Sequence, residues 1–190
     1  PIDMAAPQPK PKKELPTVTV TPPKAQAVLG AFADHIKAMA SLDDTQRAAA
    51  LKRIAETDND SIVDVLRSIY PPFKAASAAL GDEQTAKAIA LFKPLFDHAD
   101  PYLATYARYF AGRAYVMQED YEEARPLLGE VTGKSIERTL HSGEALFMLG
   151  LCHAELLDRD MALATLKEFV LKYPDVSERM IVGAMHLMDQ

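Results

Sequence analysis

Asp97-His98-x-Asp100 places two carboxylates around an imidazole, a set able to move a proton or hold a metal. It falls at a helix end just before Pro101, and no glycine-rich phosphate loop accompanies it. Polar helix-end residues meeting solvent are the simpler reading. Asp58-Asn59-Asp60 begins like a calcium loop but lacks the later glycine and the glutamate at the twelfth position, which leaves helix capping. Cys152 and His153 are a thiol and an imidazole side by side on an apolar helix. Cys152 has no cationic neighbour in sequence and reads as a small buried hydrophobe, and His153 as a packed histidine. Met148, Met161, Met180, Met185 and Met188 read as core filler, with an adaptable Met-rich C-terminal face as the alternative. No metal and no cofactor is expected from these residues.

A pattern that occurs twice, 38 residues apart, is more informative than any of these clusters. The first copy is Gly112-x-x-Tyr115 followed by Tyr121-x-x-Ala124-x-x-x-Leu128. The second is Leu149-Gly150-x-x-His153 followed by Ala162-x-x-x-Leu166, closing at Tyr173-Pro174. Each copy predicts a helical hairpin whose two helices meet closely at small residues. A lone hairpin cannot bury its own apolar face, so such units stack. Ala88-x-x-x-Phe92 lies 36 residues before Ala124-x-x-x-Leu128 and predicts a degenerate earlier copy over Phe73–Asp97.

Composition bounds the remaining possibilities. The chain has 190 residues, 48% apolar and 25% charged, with one cysteine and no tryptophan. That length suits one domain with a sizeable core. A net charge of −6 argues against nucleic acid, whose phosphates need a clustered basic face. A single cysteine excludes an intramolecular disulfide framework. No apolar run approaches the roughly 18 residues of a membrane span. The chain opens on proline rather than methionine, so a signal or lipid anchor is expected to lie upstream if there is one.

Residues 1–21 hold five of the thirteen prolines and read as an extended tether. Residues 22–70 predict N-terminal helices. Thr21 caps the first; Ser41-x-x-Asp44 and Ser61-x-x-Asp64 form capping boxes for the next two. Ile62, Val65, Leu66 and Ile69 make one apolar stripe, and Pro71-Pro72 stops that helix. A short helix from about Phe73 to Leu80 is capped by Gly81. Residues 71–190 hold the repeats, with hairpins near 102–134 and 140–173 and a loop running from about Gly129 to Leu140. A last helix near 176–189 carries Met180, Val182-Gly183 and Leu187, and reads as the first helix of a repeat without its partner. The whole is all-α, with eight or nine helices.

The two hairpins resemble the tetratricopeptide repeat. Leu149, Gly150, Ala162, Leu166 and Pro174 match its pattern in the second unit, where His153 stands in for a tyrosine. Gly112, Tyr115, Tyr121, Ala124 and Leu128 match in the first, but Ala111 replaces leucine and no closing proline follows. The resemblance covers roughly residues 70–190 and implies a right-handed superhelix of antiparallel hairpins. It also implies a peptide-binding groove lined by the first helix of each unit. The groove positions carry over to Tyr106, Tyr109, Arg113, Val116 and Met117, then Phe147, Leu151 and Ala154, then Met180. Tyr106, Tyr109 and Arg113 share a helix face and combine contact area with polar tips. The same stripe could instead pack on the N-terminal helices or a neighbouring chain. Members that clamp the tails of cytosolic chaperones need lysine and asparagine here, which this chain lacks.

Leu166-x-x-Phe169-x-x-x-Tyr173-Pro174 is similar to cell-envelope members of the family. The expectation is therefore a non-catalytic module that binds a protein or peptide and scaffolds it in a bacterial envelope or periplasm, with the cytoplasm as the alternative. A docking or regulatory part of a larger enzyme, or a module that self-associates through its C-terminal helix, are the competing expectations.

Overall fold

The computed structural model describes residues 61–133 and 140–189, together with Asp43, Thr45, Gln46 and Ala49. The expected tether, the first capped helix and Asp58-Asn59-Asp60 lie outside the described residues. The described chain forms α1 (Ser61–Ile69), α2 (Pro71–Gly81), α3 (Thr85–Phe92), α4 (Pro101–Met117), α5 (Tyr121–Gly133), α6 (Leu140–Glu155), α7 (Arg159–Lys172) and α8 (Glu178–Met188). A 3-10 turn, Lys93–Leu95, follows α3. Among the described residues there is no strand.

Local chemistry sets where these helices begin and end. Ile62, Val65 and Leu66 are fully buried, as the α1 stripe requires. Tyr70 is extended at φ −119° and ψ 94°, because Pro71 disfavours helix in the residue before it. Pro71 and Pro72 then open α2, two residues before the expected start at Phe73. Proline fits there because the first helical N–H groups have no partner inside the helix. Ser41 and Asp44, the residues of the next expected capping box, lie outside the described residues, but Asp43 and Gln46 form a reciprocal pair. Asp43 Oδ1 accepts from the Gln46 N–H at 2.8 Å, and the Gln46 Oε1 accepts from the Asp43 N–H at 3.3 Å. Asp64 accepts from Arg67 at 3.0 Å.

The hairpins are α2–α3, α4–α5 and α6–α7, and all three turn in the same way. Glu83, Glu119 and Leu157 each hold a left-handed backbone, with φ of 59°, 59° and 60°. The next N–H in each case reaches back five residues: Gln84 to Ala79 at 2.8 Å, Asp120 to Tyr115 at 3.0 Å, Asp158 to His153 at 2.9 Å. This is the Schellman arrangement, which satisfies the last carbonyls of a helix. Gly81 is not the left-handed residue expected of it; it is the last residue of α2 and Glu83 turns the chain. The third copy of the turn makes the degenerate first hairpin a structural equal of the other two.

Each hairpin packs on the next. α3 meets α4, α5 meets α6, α7 meets α8, and α2, α4, α6 and α8 touch in succession. The repeated small residues lie at the crossings. A Cβ on Gly112 would come 2.9 Å from Leu128 Cγ, and one on Gly150 would come 2.5 Å from Leu166 Cδ2. Ala88, Ala124 and Ala162 are buried, as are Phe92, Leu128 and Leu166 four residues on. α5 runs to Gly133, four residues beyond Gly129, where a loop is expected to start. α8 takes the position of a further first helix. Its Ala184 joins Leu146, Leu166 and Phe169 in one buried cluster, with Met180, Leu187 and Met188 packed on it.

Candidate functional site

The stripe expected to line a groove on α4 is divided. Tyr106 and Tyr109 are each only 1% exposed, so these two are core residues and not the open contact positions expected of them. The cause is the first turn of α6, which lies across this part of α4. The His141 ring meets Tyr109 edge-on at 5.0 Å and Tyr106 at 5.5 Å. The Tyr109 hydroxyl donates to Glu144. Burial, and then the Glu144 carboxylate, push the Tyr109 phenol well above its ordinary range, while Arg113 beside it pulls the other way.

One turn further along α4 the surface opens. Arg113 is exposed and Met117 is 48% exposed. Val116 on the same helix, and Leu151 and Ala154 on α6, are half-buried. Phe147 is half-buried but belongs to the C-terminal core, with its ring 5.5 Å from Phe169 and close to Gly183 on α8. Met180 packs into the same core rather than lining a groove. The open part of the expected site is therefore Arg113, Met117, Val116, Leu151 and Ala154. Glu144 holds its floor by tying α6 to Tyr109. Nothing in the sequence pattern marks Glu144, because a single acid on a helix has many solvent-facing precedents.

The clusters with chemical potential are structural. Asp100 is fully buried, not solvent-facing as its place at a helix end suggests. Its Oδ1 caps α4, accepting from Tyr102 N–H at 2.9 Å and Leu103 N–H at 3.3 Å. Its Oδ2 accepts from the Tyr70 hydroxyl at 2.6 Å. His98 Nδ1 accepts from the Asp100 N–H at 3.0 Å, and its ring meets Tyr70 at 5.3 Å. The fragment clasps the elbow between α1 and α2 to the start of α4. Arg108 makes a second clasp: it donates to the Phe96 carbonyl, pairs with Glu130 at 2.8 Å and covers the Phe96 ring at 5.4 Å. Sequence reading passes over Arg108 because its partners come from two other segments.

Cys152 is fully buried, and that burial pushes its thiol up to about 11. His153 is buried too; desolvation holds its pKa below the ordinary value, and Asp158 at 3.7 Å opposes this. The shift on Cys152 disfavours the thiolate that nucleophilic work needs. Among the described residues no group of three His, Cys, Asp or Glu side chains could hold a metal ion. No described helix is long and apolar enough to cross a membrane. Met161 and Met185 are 49% and 54% exposed, so these two are not the core filler expected of the methionines.

Residues 144–175, which span most of α6 and all of α7, match the tetratricopeptide repeat family. This segment is a tetratricopeptide repeat. No curated protein and no solved structure matches the chain.

Proposed function

We propose that the chain is a non-catalytic protein-binding module that scaffolds its partner in a bacterial cell envelope. Tetratricopeptide repeats mediate protein–protein contacts as a rule, which supports the binding half of this reading. The observation that carries it is that Arg113 and Met117 on α4 are exposed and Leu151 on α6 is half-buried, on two helices that touch. These side chains rise from helices fixed to each other by the Tyr109–Glu144 bond, so little ordering cost attends their use. Arginine and methionine both suit contact surfaces, the first through directed donors and the second through adaptable packing. The envelope half rests on the likeness of the Leu166–Pro174 stretch to envelope members of the family.

The test is site-directed photo-crosslinking in cells that carry the gene, with the crosslinker at Met117, Leu151 or the exposed Glu122 of α5. A shared adduct at Met117 and Leu151 but not at Glu122 is expected. Arg113→Ala with Met117→Ala should weaken the partner roughly thirtyfold, the loss that removal of an anchor of about 2 kcal/mol produces. Equal labelling at all three positions would place the working surface elsewhere. Recovery of the full-length product in the cytoplasmic fraction would sink the envelope assignment and leave the binding assignment standing.

A further inference from the structure

The second helix of each hairpin opens with a residue at one equivalent place, three positions before the buried alanine: Thr85, Tyr121 and Arg159. Each faces the end of the first helix of the following unit, and the three places are filled differently. Thr85 Oγ1 accepts from Gln118 Nε2 at 2.8 Å, just beyond the end of α4. Tyr121 is half-buried, and Glu155 and Cys152 of α6 lie near enough to its hydroxyl to raise its pKa, after burial. Arg159 is exposed, and behind it a cavity of about 450 Å³ stays open. Its walls are Ala154, Ala162, Leu163, the exposed Leu157 of the turn before α7 and, from α8, Leu187 and Met188. The third hairpin thus has a space at the place where the second carries a ring of its own.

We propose that this cavity binds an aromatic side chain of a partner protein. The lining selects for a ring in three ways. Leucine and alanine walls bury its faces, the Met188 thioether gives favourable sulfur–aromatic contact, and the Arg159 guanidinium can cover the ring as a cation over a π-face. The volume lies within the roughly 300–1,000 Å³ of sites that enclose small organic groups. An aliphatic side chain would gain only the first of these three. The cavity shares Ala154 with the open part of the expected site and offers a further anchor on the same module. Its biological use rests on the proposed binding function; its preference for rings does not.

The experiment uses the whole chain with ¹³C-methyl methionines, titrated with indole and, separately, with cyclohexanol. Indole should move the Met188 methyl saturably and leave Met117 unmoved, and cyclohexanol should bind several-fold more weakly. Arg159→Tyr supplies the ring from within. It should abolish the Met188 response and raise the melting temperature by about 2–4 °C, with unchanged circular dichroism. Arg159→Leu keeps the cavity, removes the cation and should narrow the preference for indole over cyclohexanol. Equal responses at Met188 and Met117, equal affinity for the two probes, or an indole response that survives Arg159→Tyr would each overturn the proposal. Because these readings are taken on the isolated protein, a failed crosslink at Met117 in cells does not bear on them.

Discussion

Tyr70 and Asp100 meet at 2.6 Å with both residues under 10% exposed, so neither can exchange its partner for bulk water. Tyr70→Phe would keep the ring on His98 and strip one buried carboxylate oxygen of its donor. A cost of about 1–3 kcal/mol follows, because an unsatisfied buried acceptor retains its full desolvation penalty. Urea denaturation should show the midpoint falling with an unchanged slope; a midpoint within error of the parent would mean water reaches Asp100. His153 supplies a pH test. Burial favours its neutral form, so its folded pKa lies below the ordinary value of about 6.5. The unfolded chain then binds the proton first as pH falls, and stability contributed by the neutral ring is lost from about pH 6.5 downward. The melting temperature of the parent should drop more than that of His153→Tyr between about pH 7.5 and 5.5. Parallel slopes would show that Asp158, 3.7 Å away, cancels the desolvation.

At the scale of the element, the helix crossings are decided by glycine. Gly150→Ala would drive a Cβ to 2.5 Å from Leu166 Cδ2 and 2.7 Å from its Cγ, and Gly112→Ala to 2.9 Å from Leu128 Cγ. Gly129, also helical, has nothing within 4 Å. Overpacking costs about 1–3 kcal/mol, whereas alanine in an open helix interior gains about 0.5–1 kcal/mol over glycine. Thermal melts should therefore rank Gly150→Ala lowest, Gly112→Ala next, and Gly129→Ala above the parent. A stabilised Gly150→Ala would break the assigned hairpin register. These crossings were legible in the sequence because close approach needs a missing side chain, and Gly112 and Gly150 recur at a fixed spacing. The turns were less legible. Glu83, Glu119 and Leu157 take a left-handed conformation that glycine favours, so Gly81 drew attention two residues too early. Here the packing of one helix on the next overrides local preference.

For the whole molecule, α8 packs on the third hairpin. It covers Leu146, Leu166 and Phe169, which would otherwise face water. Repeat arrays depend on such contacts, since each unit is stabilised by its neighbours. Removing residues 175–190 should lower the melting temperature and produce association in light scattering coupled to size exclusion. A truncated chain that melts like the parent and stays monomeric would show that α8 is dispensable. The cover itself has an outer side: Val182 and Met185 are 59% and 54% exposed.

Periodic small and apolar residues determined the hairpins in advance, because helix spacing and close crossings leave marks within a single segment. Gly150, Ala162 and Leu166 are such marks, and so is the proline pair between α1 and α2. What only the tertiary structure decided is which polar or aromatic residues remain open. Tyr106 and Tyr109 share a face with Arg113 by spacing alone, yet the first turn of α6 covers the tyrosines and leaves the arginine exposed. Asp100, at a helix end before a proline, is fully buried because Tyr70 arrives from thirty residues upstream. The cavity behind Arg159 arises in the same way, since half its wall comes from α7 and the adjoining turn and the rest from α6 and α8. Burial is a property of what packs on a segment, and the covering elements here lie far from the covered residues along the chain.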